Sequence, residues 1–213
     1  MNPSSVEGAT RPGRPRGSSR EMLQEAASEL FLQQTYARTT IEQIARHAGV
    51  SRNTFFNYFT SKSDLLWVEI DQSLDRLPAA LGRSTSDDVT DAVRVALLDV
   101  AFDFGPARVP WALTQQELMG TTGELEASAL TRLAAQAHLL AGFVGRRVPG
   151  ADPLLCQSFA VAVLSAAAVA ALAWAAAGVG RGNLAPYVDA AIGPVCDGFR
   201  PALSPRRGGH PGL

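Results

Sequence analysis

One segment restricts the fold more than any other stretch of the chain, because it contains the start and stop signals of two short helices. It spans residues 39–66, TTIEQIARHAGVSRNTFFNYFTSKSDLL. Thr40, with Gln43 three residues later, predicts a capping box that opens the first helix. Gly49 predicts its end, since glycine tolerates the left-handed backbone beyond a helix C-terminus. Ser51 predicts the cap of a second helix. The stretch therefore predicts a helix-turn-helix.

The second of these helices presents polar side chains on the side that faces away from its predicted core. Phe55 and Phe59 lie four residues apart, which predicts the buried side. The expected exposed side chains are Arg52, Asn53, Thr54, Asn57 and Tyr58. Such groups can offer hydrogen bonds to base edges and phosphates in the major groove, so this helix is expected to read DNA. The alternative is an ordinary helical hairpin with solvated polar side chains.

Further cations and hydroxyls are expected to hold the phosphate backbone. Lys62 is expected in the first turn of the next helix, where free amides and the helix dipole favour a phosphate. Residues 1–18 read as a disordered basic arm, with no apolar segment of the kind that a secretory signal needs. Arg14 in this arm could enter an A·T-rich minor groove, or a solvated arm could touch phosphates without sequence preference. The full expected DNA-binding set is Arg14, Arg20, Thr40, Ser51, Arg52, Asn53, Thr54, Asn57, Tyr58 and Lys62.

The helix-turn-helix stretch, together with MLQEAASELFLQQTYARTT before it, resembles the DNA-binding domain of TetR-family transcriptional regulators. The family usually carries Tyr where this chain has Phe56, so a phosphate-directed hydroxyl is absent there. The TFFNYF form and the later segment ARVPWALTQQELM are similar to actinobacterial regulators linked to mycofactocin clusters. The resemblance implies a repressor that binds a palindromic operator as a homodimer and is released by a ligand.

Beyond Gly82, alanine- and leucine-rich runs interrupted by glycine and proline predict a helical C-terminal domain. Its predicted helices span residues 87–104, 107–119, 125–147, 153–177 and 184–199, with a break at Gly193-Pro194. Two earlier helices are expected over residues 21–35 and 63–77. The expected fold class is all-α, with an N-terminal three-helix helix-turn-helix domain and a C-terminal helical ligand-binding and dimerisation domain. The predicted boundaries are 19–65 and 66–200, followed by a disordered tail at 201–213.

Residues 158–179 contain no charged side chain and are long enough to span a bilayer. The run is mostly alanine, which inserts into membranes far less readily than leucine, isoleucine or phenylalanine. We therefore expect a core helix with one side in a dimer interface and no membrane contact. With residues 184–199 as its neighbour, the resemblance implies a four-helix interface between two copies.

Large apolar and polar side chains scattered over the C-terminal helices are candidates for an effector pocket, although most of them could equally be ordinary core. The expected ligand contacts are Phe102, Trp111, Gln115, Met119, Arg132, Phe143, Phe159 and Trp174. The resemblance to the mycofactocin-linked group implies an acyl-CoA as a first candidate effector. Arg132 or Arg108 would then meet its phosphates.

Charge and motif content narrow the function further. Residues 1–65 carry a net charge of +2 and the remainder −3, which fits one module on DNA and another away from it. Cys156 and Cys196 lie far apart, which predicts buried thiols in a reducing cytoplasm and no metal site. No catalytic or cofactor motif is present, so no enzyme or cofactor is expected. Three classes remain: a ligand-responsive repressor, an effector-independent DNA-binding regulator, and a helical enzyme or carrier.

Overall fold

A computed structural model describes residues 19–204, so the arm with Arg14 and residues 205–213 of the tail lie outside the described range. Within that range the regular structure is helical, which confirms the all-α fold class. The helices are α1 Ser19–Gln34, α2 Ile41–His47, α3 Arg52–Phe56, α4 Asp64–Leu74, α5 Leu77–Arg83, α6 Val89–Phe102, α7 Trp111–Thr114, α8 Gln116–Met119, α9 Thr122–Arg147, α10 Pro153–Ala176 and α11 Ala185–Leu203.

The first three helices enclose a small apolar core and adopt the predicted helix-turn-helix. The Thr40 side chain accepts a hydrogen bond from the backbone amide of Gln43, and the side-chain oxygen of Gln43 accepts one from the backbone amide of Thr40, which confirms the capping box. Gly49 has φ +70°, the left-handed conformation expected of it. Ser51 caps α3, and Phe55 beyond it is completely buried. The capping residues Thr40 and Ser51 and the helix-ending Gly49 therefore mark the ends of α2 and the start of α3, as the sequence predicts.

Proline positions account for the helix boundaries that sequence reasoning misplaced. The predicted helix over residues 63–77 is wrong, since α4 ends at Leu74 and α5 starts at Leu77. Pro78 lies in the first turn of α5, where no intrahelical N–H bond is lost. The single helix predicted over 107–119 is also wrong: Pro110 stands before α7, and the segment forms two short helices.

The last helix runs further than expected and passes through Pro194 without a break. The carbonyl of Ala190 would lose its partner at this proline, but both residues are exposed, so water can hydrate that oxygen. At its end, Leu203 is buried against the C-terminal core. Residues 201–203 therefore belong to α11 and not to the predicted tail.

Helices α6, α9, α10 and α11 form the C-terminal core, with Phe159 and Trp174 of α10 completely buried. By length and composition alone, α10 could cross a membrane. One side of it packs against α9 and α11. The other side exposes an apolar row at helical spacing, formed by Leu154, Val161 and Val169. This row lies on the face that the sequence predicts for dimer contact.

Candidate DNA-binding surface and effector cavity

The exposed surface of α3 and of the two residues after it brings most of the residues predicted to contact DNA together. Arg52, Asn53, Asn57 and Tyr58 are exposed on the same surface. Thr54 is half-buried, and its hydroxyl bonds that of Ser51 at 2.8 Å while its amide donates to the same Ser51 oxygen at 3.0 Å. The cap thus uses the Ser51 hydroxyl to hold the start of the helix. Four polar side chains remain presented to solvent.

Arg52 is held at this surface by two neighbours that sequence reasoning did not identify. Its Nε lies 2.6 Å from a carboxylate oxygen of Glu42 on α2. Its guanidinium also stacks 4.9 Å from the ring centre of Phe56, the position where the family usually has Tyr. Both members of the ion pair are more than half exposed, so the pair is weak and can be exchanged for a DNA group.

Lys62 differs from its prediction, because it precedes α4 and does not lie in its first turn. Its ammonium donates to the carbonyl oxygens of Tyr36 at 2.7 Å and Thr39 at 2.8 Å. It also lies 3.9 Å from the centre of the Tyr36 ring. Burial lowers the pKa of Lys62, although the charge of Glu124 opposes this. Lys62 therefore fastens the loop between α1 and α2, and its phosphate contact stays a prediction.

The remaining predicted phosphate contacts lie at the ends of helices. The Arg20 guanidinium stands 5.5 Å from the centre of the Phe59 ring. Its Nε is buried without a hydrogen-bond partner within residues 19–204. Thr40 is exposed, with its hydroxyl oxygen accepting the capping bond. Both residues flank the helix-turn-helix, where a phosphate could meet them.

A cavity of about 430 Å³ opens between α4, α6 and the three last helices. This volume falls within the range of roughly 300–1,000 Å³ that is typical of small-molecule sites. Of the expected ligand contacts, Arg132 and Trp174 line this cavity, and their contact with a ligand stays a prediction. Most of the other lining side chains are apolar: Trp67, Ile70, Leu74, Leu97, Val100, Ala101, Phe104, Pro110, Leu113, Leu125, Ala129, Leu130, Leu133, Leu164, Ala167, Ala168, Ala171, Leu172, Leu184 and Val188.

The structure places six predicted ligand contacts outside this cavity, which corrects the predicted set. Phe102 is 72% exposed on the surface. Phe143 and Phe159 belong to the C-terminal core. The other three lie on α7 and α8 or between them, namely Trp111, Gln115 and Met119. An apolar residue on a helix can face a core or a cavity, and the sequence pattern does not distinguish the two.

Helices α7 and α8 connect the cavity to the DNA-binding domain, because their two sides face different parts of the molecule. Leu113 and Gln116 line the cavity. Ala112 and Met119 are buried in the same cluster as the core of α1, α2 and α3. The Met119 carbonyl also accepts a hydrogen bond of 2.8 Å from the amide of Tyr36. Helices α7 and α8 therefore contact both the wall of the cavity and the core of the DNA-binding domain.

Arg132 joins α9 to α4 at the edge of the cavity. Its Nε lies 3.1 Å from Asp71, and one terminal nitrogen lies 3.2 Å from Asp64. Its guanidinium stacks 4.9 Å from the ring centre of Trp67. Asp64 in turn accepts hydrogen bonds from the amides of residues 60 and 61, just beyond the recognition helix. Sequence reasoning found the cation but neither of its carboxylate partners.

Three polar cavity residues, Gln116, Thr122 and Glu126, were not expected as ligand contacts. Glu126 shares one side of α9 with Ala129, Leu133 and Gln136, a helical spacing that could have indicated it.

Two family models match most of this architecture. One, described as bacterial regulatory proteins of the tetR family, matches residues 23–67, and the other, described as the MftR C-terminal domain, matches residues 87–200. The chain belongs to the TetR family of bacterial regulatory proteins. Its C-terminal domain is of the MftR type, which confirms the resemblance to mycofactocin-linked regulators. As a TetR-family member, it is a helix-turn-helix transcriptional regulator.

Two relatives are similar to the chain in sequence, and a solved structure is similar to it in fold. A Mycobacterium tuberculosis protein that carries the name mycofactocin biosynthesis transcriptional regulator MftR is 32% identical over 143 residues, covering 66% of this chain and 71% of the relative. The transcriptional activator FasR of Mycolicibacterium smegmatis is 32% identical over 92 residues, 42% of each chain. The structure of Thermus thermophilus FadR, a TetR-family repressor in complex with lauroyl-CoA, aligns with a TM-score of 0.55 at 22% identity, over 91% of this chain and 100% of that one.

Proposed function

We propose that this protein is a cytoplasmic repressor that binds a palindromic operator as a homodimer and is released by a small apolar effector. The observation that carries the proposal is the α7–α8 segment, which contributes both to the effector cavity and to the core of the DNA-binding domain. A ligand shifts DNA affinity only if it binds the DNA-competent and released states differently. Because α7 and α8 contact both the cavity and the DNA-binding core, the ligand affinity of the cavity can differ between these two states.

The apolar row on α10 supports the homodimer. One recognition helix reads few base pairs, and two related by a two-fold axis can enter successive major grooves about 34–36 Å apart. Ala162, next to the exposed Val161 on α10, lines a groove together with Pro194 and Gly198 of α11, and all the residues that line this groove are uncharged. Exposed apolar surface of this kind is typical of subunit interfaces. We propose that α10 and α11 pack against the same helices of a second copy.

A glutamate at Val161 is expected to dissociate the dimer, because the two-fold axis places a desolvated charge on both sides of the interface. Light scattering at micromolar concentration should show monomers for Val161→Glu and dimers for the wild type. Val95→Glu is the control, since Val95 is a valine that is 52% exposed on a different helix, α6. A monomeric wild type, or a dimeric Val161→Glu protein, would contradict the proposed interface.

The effector is proposed to bind in the cavity, and lauroyl-CoA is the first probe because the Thermus neighbour binds it. The acyl chain matches the apolar lining. Of the two arginines expected to meet its phosphates, Arg132 is paired with Asp64 and Asp71, and Arg108 is half exposed and does not line the cavity. We therefore expect the nucleotide part to remain outside the cavity.

Filling the cavity is expected to abolish the effector response and spare DNA binding. Ala129→Phe places a ring into the lining of the cavity, whereas Ala127→Phe, two residues away on the exposed side of α9, leaves it open. Gel-shift titrations against the DNA upstream of the gene, with and without lauroyl-CoA, should show release of the wild type and Ala127→Phe only. Release of Ala129→Phe as well would exclude the cavity as the effector site. DNA binding that no ligand changes would favour an effector-independent regulator.

A further inference from the structure

We infer that Asp64 is a positioning residue that sets how strongly an effector in the cavity changes the affinity for DNA. Its two carboxylate oxygens bind different parts of the molecule, one the loop beyond the recognition helix and the other the cavity-lining Arg132. The inference rests on the proposed function, because it names the residue through which the effector cavity acts on the DNA-binding surface.

One oxygen of Asp64 holds the loop that joins the recognition helix α3 to α4. Its Oδ2 atom accepts hydrogen bonds from the backbone amides of Thr60 at 2.8 Å and Ser61 at 3.0 Å, and from the Thr60 hydroxyl at 2.7 Å. The same loop contains Asn57 and Tyr58, two exposed residues that are expected to contact DNA. The position of this loop therefore depends on the position of the Asp64 carboxylate.

The other oxygen of Asp64 binds the wall of the cavity. Its Oδ1 atom accepts a hydrogen bond of 3.2 Å from the Nη2 of Arg132, which lines the cavity, whereas Asp64 itself does not line it. The two side chains are only 20% and 24% exposed, so water and salt screen their charges only in part. Burial would raise the pKa of Asp64, but hydrogen bonds from Thr60 and Ser61 lower it below its usual value, so the carboxylate is charged at neutral pH.

The bond between Arg132 and Asp64 can break without leaving either charge alone. The Nη2 of Arg132 lies 3.2 Å from Asp64 and also 3.2 Å from Asp71, and its Nε lies 3.1 Å from Asp71. Arg132 can therefore release Asp64 and keep Asp71, while Asp64 keeps its bonds to Thr60 and Ser61. Breaking a buried pair is costly when it leaves an uncompensated charge, and here both partners retain other contacts. The guanidinium thus has two arrangements, with and without Asp64.

An effector in the cavity acts on the choice between these arrangements. Arg132 lines the cavity and stacks 4.9 Å from the ring centre of Trp67, a second lining residue, so a bound ligand contacts one or both of them. A ligand that binds better to one arrangement shifts the equilibrium toward it. Release of Asp64 frees the loop that carries Asn57 and Tyr58, and DNA binding in turn opposes the ligand by the same factor.

The test is gel-shift titration of the full chain against the DNA upstream of the gene, without and with saturating lauroyl-CoA. The ratio of the two dissociation constants is the coupling factor. Asp64→Asn is expected to lower this factor about fivefold or more. The asparagine keeps an oxygen for Thr60 and Ser61, but its amide group cannot accept a bond from Arg132. Calorimetry without DNA should show lauroyl-CoA binding no weaker than to the wild type, because Asp64 does not line the cavity.

The outcomes separate this inference from the proposed function. An unchanged coupling factor in Asp64→Asn, or weaker binding of lauroyl-CoA to it, would overturn the inference and leave the effector cavity standing. A wild-type coupling factor of one would overturn the proposed effector mechanism, on which the inference rests. Asp99→Asn is the matched control, because it removes the same charge from an ion pair with Arg83 outside the cavity, and it should keep the wild-type factor.

A second variant tests the same bond from the cavity side. Arg132→Gln should also lower the coupling factor, and the double variant with Asp64→Asn should lower it no further, since both changes remove one contact. Effects that multiply would show that the two residues act independently and would refute the assignment. Loss of operator binding by both single variants, with their helical circular dichroism intact, would place the bond in DNA binding itself and refute it too.

Discussion

Replacing Met119 with alanine is expected to lower the free energy of unfolding of the DNA-binding domain by about 2–5 kcal/mol. Met119 lies on α8, far along the chain from the helix-turn-helix, yet its side chain is completely buried in that domain's core. Alanine would leave a cavity there, since the surrounding residues relax only in part. The measurement is chemical denaturation, followed by operator binding at a temperature near the wild-type midpoint.

Leu118 provides the matched control for this prediction. It precedes Met119 on the same short helix and is 74% exposed. Leu118→Ala removes a similar side chain from the surface, so its effect should stay within about 0.5 kcal/mol. The two variants could instead have the same free energy of unfolding and the same operator affinity. In that case α8 is not an integral part of the DNA-binding core, and α8 does not connect the cavity to that core.

The contrast between these neighbours shows where sequence reasoning stops. Capping boxes and glycine C-caps involve residues three or four apart, so Thr40, Gln43 and Gly49 could be read directly from the sequence. Met119 was instead expected at the ligand site. Its burial in the N-terminal core depends on how two domains pack, which no local pattern encodes.

The same limit applies to polar groups. Arg132 could be recognised as a cation near a pocket, but Asp64 and Asp71 are 68 and 61 residues away in the chain. Their pairing decides whether that cation is available to a ligand. This pairing joins side chains of α4 and α9 that are far apart in the chain. The expected contact between Arg132 and a phosphate stays a prediction.

Loss of the Arg52 or Asn53 side chain is expected to have a comparably large effect, in this case on operator binding. Arg52→Ala and Asn53→Ala should each weaken the free energy of operator binding by about 1–3 kcal/mol. The loss arises at the base pair that the residue contacts, so the preference for that base pair is relaxed. The physical reason is that bidentate donors and acceptors on α3 match the edge of one base pair and not another. Arg52 first has to leave Glu42 before it contacts DNA. Breaking this ion pair requires little free energy, because both side chains are exposed.

Quantitative binding to operators with single base-pair changes, at two or more salt concentrations, separates this effect from a loss of phosphate contacts. A lost phosphate contact weakens all sequences alike and lowers the salt slope by about one, whereas a lost base contact acts at one position. Arg83→Ala is the control, since it removes an exposed arginine that pairs with Asp99 in the C-terminal domain. Arg52→Ala and Asn53→Ala proteins that keep wild-type affinity and sequence preference would show that α3 does not enter the major groove through this surface.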